Sequence, residues 1–331
     1  MQKKFISVLL TLLMMAGVIA VAPVMASAVT VWEVNDATEL AYAIGDAQNG
    51  DTIKLMGNIT ADYFIGISGM TITFDLNGKT LNLTDGLELV NAELKLADPA
   101  NGELNVSLDD EDNYALSVVN GKAEVTSVSA SGFEMGAAVY ASESEIVIHG
   151  NVRNDCTFTP GALCYGVKST SNSNITIEGT ITCAAGVGYI DVEGTGKTQT
   201  QYTTPTTKTG YLTYTDGTDT VWVKCNDHAF GVTWLKDATN HWRAVCSKCD
   251  AADTPAAHTP GDWATVLEPT TTTPGSKQKT CTVCQAVTAT EAIAVLKAVG
   301  LFGMNTTYPS NIGNWLLFFL CFGFIWMWFV K

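Results

Sequence analysis

The stretch HWRAVCSKCD, His241–Asp250, sets two thiols three residues apart and an imidazole five residues before the first. Thiolate and imidazole are the usual donors to structural zinc, and four of them close a tetrahedral shell. His241, Cys246 and Cys249 offer three donors, and His258, nine residues past Cys249, offers a fourth. The spacing predicts a zinc site made by His241, Cys246, Cys249 and His258. Cys225 and His228 are further donors nearby, so the pairing stays open. A disulfide is the competing chemistry, because an exported chain meets a non-reducing compartment. A redox pair fits less well: it belongs at a helix start beside a βαβ pattern, which the sequence here does not show.

Such donors need a scaffold, and residues 225–295 have few aliphatic core positions. A chain of about 70 residues of that kind needs a staple to fold. Trp234, Trp242 and Trp263 are expected to pack around it. A second Cys-x-x-Cys follows at Cys281 and Cys284. The segment His258–Ile293 resembles a repeat common in exported proteins of gut clostridia, which reads roughly His, Trp, Pro-Thr-Cys-Thr, Gly, then Cys-Thr-x-Cys-Gly. Here Thr270–Thr273 fill the stretch of the repeat's first cysteine, and Gln285 replaces its last glycine. The resemblance leaves a second site with His258, Cys281 and Cys284 and no fourth donor.

The long middle of the chain has a different character. From Val29 to Lys224, Gly, Asn, Ser, Thr and Asp alternate with Val, Ile and Leu. Asp36 is an N-cap for a short helix whose Leu40, Ala43, Ile44 and Ala47 share one face; Glu39 completes a capping box, and Asn49-Gly50 stops it. Paired short strands then recur: ITFDLNGKTLNL (72–83), LELVNAELKL (87–96) and ALSVVNGKAEV (115–125) are split at Asn77-Gly78, Asn91-Ala92 and Asn120-Gly121. Leu94 to Ala123 and Ile146 to Ile175 are both 29 residues, and Gly150 and Gly179 keep that spacing. Period-2 strands recurring at that distance predict a solenoid whose rungs share one core. A β-sandwich would turn every 8–12 residues without the longer period. Asparagines at equivalent turns are expected to form a hydrogen-bonded ladder.

DATELAYAIGDAQNGDTIKL followed by ITFDLNGKTLNL resembles the start of secreted right-handed parallel β-helix proteins of Gram-positive gut and soil bacteria, similar in fold to pectate lyases. The resemblance implies an all-β chain: a right-handed parallel β-helix solenoid with an N-terminal capping helix. A small Cys/His-rich module and a C-terminal transmembrane helix are expected after it. Residues 1–28 read as a signal peptide, with Lys3 and Lys4, an apolar run and Ala26-Ser27-Ala28. The solenoid is expected over 29–224, the zinc-ribbon-like module over 225–295 and a linker over 296–314. Residues 315–331 read as a membrane anchor, apolar from Trp315 to Val330 and ending in Lys331. A degenerate wall-sorting signal is the alternative for this tail.

Charge narrows the function. Loss of the leader removes two lysines and takes the formal charge from −15 to −17. So acidic a chain repels polyphosphates, which argues against nucleic-acid partners. The expected place is the outer face of the cell membrane or the cell wall, and the expected role is non-catalytic adhesion to glycan or host matrix protein. A polysaccharide lyase or hydrolase and a structural spacer are the alternatives. For catalysis the one constellation is Glu145, His149 and Glu178, with His149 and Glu178 stacked on neighbouring rungs. Tyr63, Phe64, Tyr114, Tyr140, Tyr165 and Tyr189 are candidate platforms for sugars. Cys156, Cys164 and Cys183 read as small buried residues, with a Cys156–Cys183 bridge as the open alternative.

Overall fold

The computed structural model describes residues 29–109, 114–132, 136–157 and 164–297. The expected signal peptide, the anchor at 315–331 and the linker from residue 298 lie outside the described residues. Among the described residues no helix is long and apolar enough to cross a membrane. The chain divides into two compact units: residues up to Thr203 with Leu212–Lys224, and Thr204–Tyr211 with the residues from Cys225 onward.

The first unit is all-β apart from one short helix and is consistent with a β-helix. The chain visits three sheets in rotation. Thr71–Asp75 lies in a nine-stranded sheet, Thr80–Leu83 in a six-stranded one and Leu87–Val90 in a seven-stranded one; Glu93–Leu96 then returns to the first. Within the three sheets strands pair in parallel with their counterparts one circuit later, as where Ile72 faces Leu94, Leu94 faces Ala123 and Ile146 faces Ile175; at one end Thr195–Lys197 instead pairs antiparallel with Gly188–Val192. The 29-residue spacings are therefore true registers, and circuits of 22 residues also occur, as between Thr71 and Glu93.

The alternation of the sequence does the packing. In Thr71–Asp75, Ile72 and Phe74 are buried while their neighbours are half-exposed. Columns of Ile, Leu and Val from all three sheets fill one continuous core. Because successive strand residues face opposite sides, this pattern admits one register only. The turns need the left-handed region. Asn77, Asn91 and Asn120 have φ of 50°, 52° and 50°, and the Asn120 side-chain amide donates to Asn91 Oδ1 at 2.6 Å, the first step of the expected ladder. Where two circuits cross most closely only glycine fits: a Cβ on Gly179 would lie 2.3 Å from the Gly150 carbonyl oxygen.

The helix, α1, spans Ala37–Asp46. Asp36 Oδ1 accepts from the N–H groups of Thr38 and Glu39, both at 2.9 Å. Glu39 reaches back one residue further than a capping box, to the Asn35 N–H at 2.7 Å. Leu40 and Ala43 are buried in the solenoid core beside the first strands, as a cap on the opening circuit requires.

Asp51 holds that opening together. Its carboxylate accepts from the N–H of Thr30 at 2.8 Å, the indole of Trp32 at 3.0 Å and the N–H of Gln48 at 2.9 Å. The Gln48 N–H, then Trp32 and Thr30, hold its carboxyl below the ordinary value of 3.8. A depressed carboxyl stabilises the fold fully above its unfolded value, and the contribution is lost as pH falls through the lower folded one. We therefore expect the amides of Thr30 and Gln48 to exchange faster below about pH 4 and to do so at neutral pH in Asp51→Ala. Exchange that ignores both changes would contradict this assignment.

The cysteines of this unit require a correction. Cys156 and Cys164 form the disulfide, and Cys183 is a free thiol. On the neighbouring strand Cys183 pairs in register with Asn154, not with Cys156. Burial pushes the Cys183 thiol up to about 11, so it stays protonated at neutral pH.

The second unit contains two three-stranded sheets. Trp234–Lys236, Asn240–Arg243 and Ala256–Ala257 form one; Ala264–Leu267, Gly275–Thr280 and Val287–Ile293 form the other. All the pairings are antiparallel.

Candidate metal centres

The second unit brings its Cys and His side chains into two groups that can each hold a metal ion. Cys225, His228, Cys246 and Cys249 make one, and His241, His258, Cys281 and Cys284 the other; within each group the donor atoms lie within 4.8 Å of one another. The four residues read from the sequence as one site do not converge. Cys246 and Cys249 lie in the first group, while His241 and His258 lie in the second. All five cysteines of the two groups are free thiols.

Strand geometry explains the partition. His241 lies on Asn240–Arg243, whose two antiparallel neighbours place it opposite Lys236 and Ala256. Ala256 is two residues from His258, and the His241 and His258 rings stack with centroids 5.6 Å apart. Cys246 is turned elsewhere: the Ala229 N–H donates to its sulfur at 3.3 Å, and the Ser247 N–H donates to the Ala229 carbonyl at 3.0 Å. That contact draws in the segment carrying Cys225 and His228.

Both Cys-x-x-Cys segments adopt the same turn. Asp250 N–H donates to the Cys246 carbonyl and Gln285 N–H to the Cys281 carbonyl, at 2.9 and 3.1 Å. Cys246 N–H returns to the Ala251 carbonyl and Cys281 N–H to the Ala286 carbonyl, at 2.8 and 2.7 Å. Asp250 and Gln285 are the left-handed residues, with φ of 55° and 57°. Glycine would enter this region without strain, and the polar Asp250 and Gln285 occupy it here. The turns also aim backbone N–H groups at the first sulfur of each pair. Burial pushes the Cys246 thiol up, but the Lys248 and Ala229 N–H groups and the His228 ring outweigh it and hold the thiol at about 6. Cys281 is held at about 6 in the same way, against burial, by the N–H groups of Cys284 and Val283. Burial raises Cys249 to about 12. Cys246 in one group and Cys281 in the other thus favour the thiolate, the form that binds a metal.

The donor spacings suit a tetrahedral ion. Bonds of about 2.3 Å to sulfur and about 2.05 Å to nitrogen at the tetrahedral angle require S···N distances near 3.6 Å, roughly. Cys249 Sγ lies 3.3 Å from His228 Nδ1, Cys284 Sγ 3.3 Å from His258 Nδ1 and Cys281 Sγ 3.8 Å from His241 Nδ1. Outer contacts fix the rings. His258 Nε2 donates to the Asp237 carbonyl at 3.2 Å, which leaves Nδ1 as the lone-pair nitrogen facing the sulfurs. Trp234 meets His241 edge-on at 4.9 Å. Arg243 lies over the Phe230 ring at 4.5 Å and pairs with Asp253 at 3.0 Å.

One signal in the sequence bore on the partition. Two Cys-x-x-Cys turns and eight donors make two sets of four, and His241 is the fourth donor that the second set seemed to lack.

The solenoid's candidate catalytic group is arranged differently. His149 Nδ1 and Glu178 Oε2 are 3.0 Å apart, on adjacent circuits as expected, but Glu145 pairs instead with Lys122 at 2.7 Å. His149 Nε2, the ring's other nitrogen, is buried and has no hydrogen-bond partner among the described residues. A general acid or base must reach its substrate proton directly or through one water. This nitrogen is shielded from solvent.

No known protein family, no curated protein and no solved structure matches this chain.

Proposed function

We propose that this chain is an exported, non-catalytic surface protein of a Gram-positive bacterium that binds glycan or matrix protein through a right-handed, pectate-lyase-like β-helix. In chain order a module built around two structural zinc ions follows the solenoid and precedes a membrane anchor at 315–331. The observation that carries the module's part is the pair of four-donor groups, three thiols with one imidazole and two thiols with two imidazoles. Sets of four Cys and His ligands are structural zinc sites; catalytic zinc keeps a position open for water. The leader at 1–28 supports export. For the solenoid, parallel circuits bring outward side chains into register, as where Glu88, Ser117 and Tyr140 face one another, and its one Glu–His pair turns its remaining nitrogen inward.

The test is a panel of plant, fungal and bacterial glycans and matrix proteins, scored both for retention and for release of reducing ends or unsaturated sugars. Retention of at least one class without release is the expected result. Release that disappears in His149→Ala and Glu178→Ala would make the chain an enzyme. A panel with no binder would leave it a spacer.

A further inference from the structure

Tyr140 belongs to a row of chemically useful side chains that the sheet registers bring together. On the outer face of the seven-stranded sheet Glu88 stands opposite Ser117, and Ser117 opposite Tyr140. Neighbouring members of such a row are about 4.8 Å apart. Tyr114, from the Ser117 strand, stacks on Tyr140 with centroids 4.5 Å apart and planes 14° from parallel. Gly136 makes room for this: a Cβ there would lie 2.8 Å from the Tyr114 ring. Beyond the tyrosines Phe64 is 55% exposed. These rings and the carboxylates of Asp85 and Glu88 line a cleft of about 550 Å³, a size typical of ligand sites.

The chemistry of the walls defines the occupant. Apolar ring faces in a wet cleft suit the C–H faces of a sugar. Asp85 and Glu88 are half-buried, and among the described residues neither has an ion pair or a side-chain hydrogen bond. Ionised carboxylates are acceptors only, so they need donors from the ligand. Hydroxyls and protonated amines provide them, whereas uronate, sulfate and phosphate groups are repelled.

We propose that this cleft is the sugar-binding site, and that it takes a neutral or amine-bearing glycan and rejects acidic ones. The inference rests on the binding function proposed above. It places recognition on the outer face of the seven-stranded sheet and assigns stacking to Tyr140 and Tyr114 and hydroxyl recognition to Asp85 and Glu88.

The purified protein is titrated with soluble neutral glucan, mannan and galactan, with chitosan oligomers, with polygalacturonate and with tetramethylammonium. At least one neutral or amine-bearing glycan binds, and polygalacturonate does not. Tyr140→Ala weakens that binding at least tenfold, as does Glu88→Gln, a change at a half-exposed side chain that leaves the core untouched. Lys95→Ala, on another sheet, leaves it unchanged. Wild-type affinity in both cleft variants would remove the site and leave the binding function standing. No glycan binding at all would remove the site and the glycan half of the proposed function together. Polygalacturonate binding as tightly as the neutral glycans, or tetramethylammonium binding without any glycan, would overturn the assignment of ligand class.

Discussion

His241→Ala empties one metal site and leaves the other filled. The purified protein is expected to hold two zinc ions per chain, one for each four-donor group. The substitution leaves His258, Cys281 and Cys284 with three donors and lowers the content to one ion. Cys225→Ser does the same to the other group, and the double variant holds none. The effect is large because binding and folding are one event here: structural zinc supplies about 10–16 kcal/mol of apparent free energy at neutral pH in small zinc domains. A chelator should therefore unfold the second unit and leave the parallel sheets of the first intact, which separate near-ultraviolet and far-ultraviolet signals can follow. A single ion per wild-type chain, lost in both His241→Ala and Cys246→Ala, would instead restore the grouping suggested by sequence order. A protein that stays folded and metal-free under reducing conditions would remove zinc altogether.

Phe74→Ala is expected to be among the costliest changes at a single core position. Phe74 is 1% exposed, and its register partners Ile53 and Leu96 are buried on either side of it. Truncating a buried phenylalanine costs about 3–5 kcal/mol, since the transfer free energy is lost and a cavity remains. Neighbouring circuits share that wall, so the effect spreads to the strands at 52–55 and 93–96. Thr73→Ala, one residue away on the outer face, should change stability by no more than about 0.5 kcal/mol. Denaturant midpoints of the two variants compare them directly. Equal losses would mean that the two faces of this strand are not divided as described.

Much of the first unit was legible because its rules are local. Alternation at Ile72 and Phe74 fixes which face is buried, and the equal spacing of Leu94 with Ala123 and of Ile146 with Ile175 fixes what lies above what. Asn91 and Asn120 mark turns because asparagine tolerates the left-handed region. The bridge between Cys156 and Cys164 was not legible: it depends on Asn154 rather than Cys156 standing beside Cys183, a matter of two residues in register.

In the second unit the donor types and the twin turns could be read, but their grouping could not. Sequence distance puts His241 five residues from Cys246, whereas the strand it occupies carries its ring to His258. Proximity along the chain predicts a shared ion only when no sheet intervenes, and here Asn240–Arg243 is the middle strand of one. The aromatic residues divided in a similar way. Tyr63 donates to the Ala37 carbonyl at 2.6 Å and ties the helix down, Tyr189 packs against the core, and Tyr114 and Tyr140 stack on the outside.

The order of the donors has a mechanical meaning. Cys225, His228, Cys246 and Cys249 close one loop, and His241, inside that loop, also closes the next with Cys284. Residues 241–249 therefore belong to both loops, like the shared link of a chain. Tension between the ends of this module meets two overlapping clasps, and neither loop can pay out its full length while the other holds. Each extended residue adds about 3.4 Å, so a pulling trace should show two linked steps, with much of the slack released only when the second clasp opens.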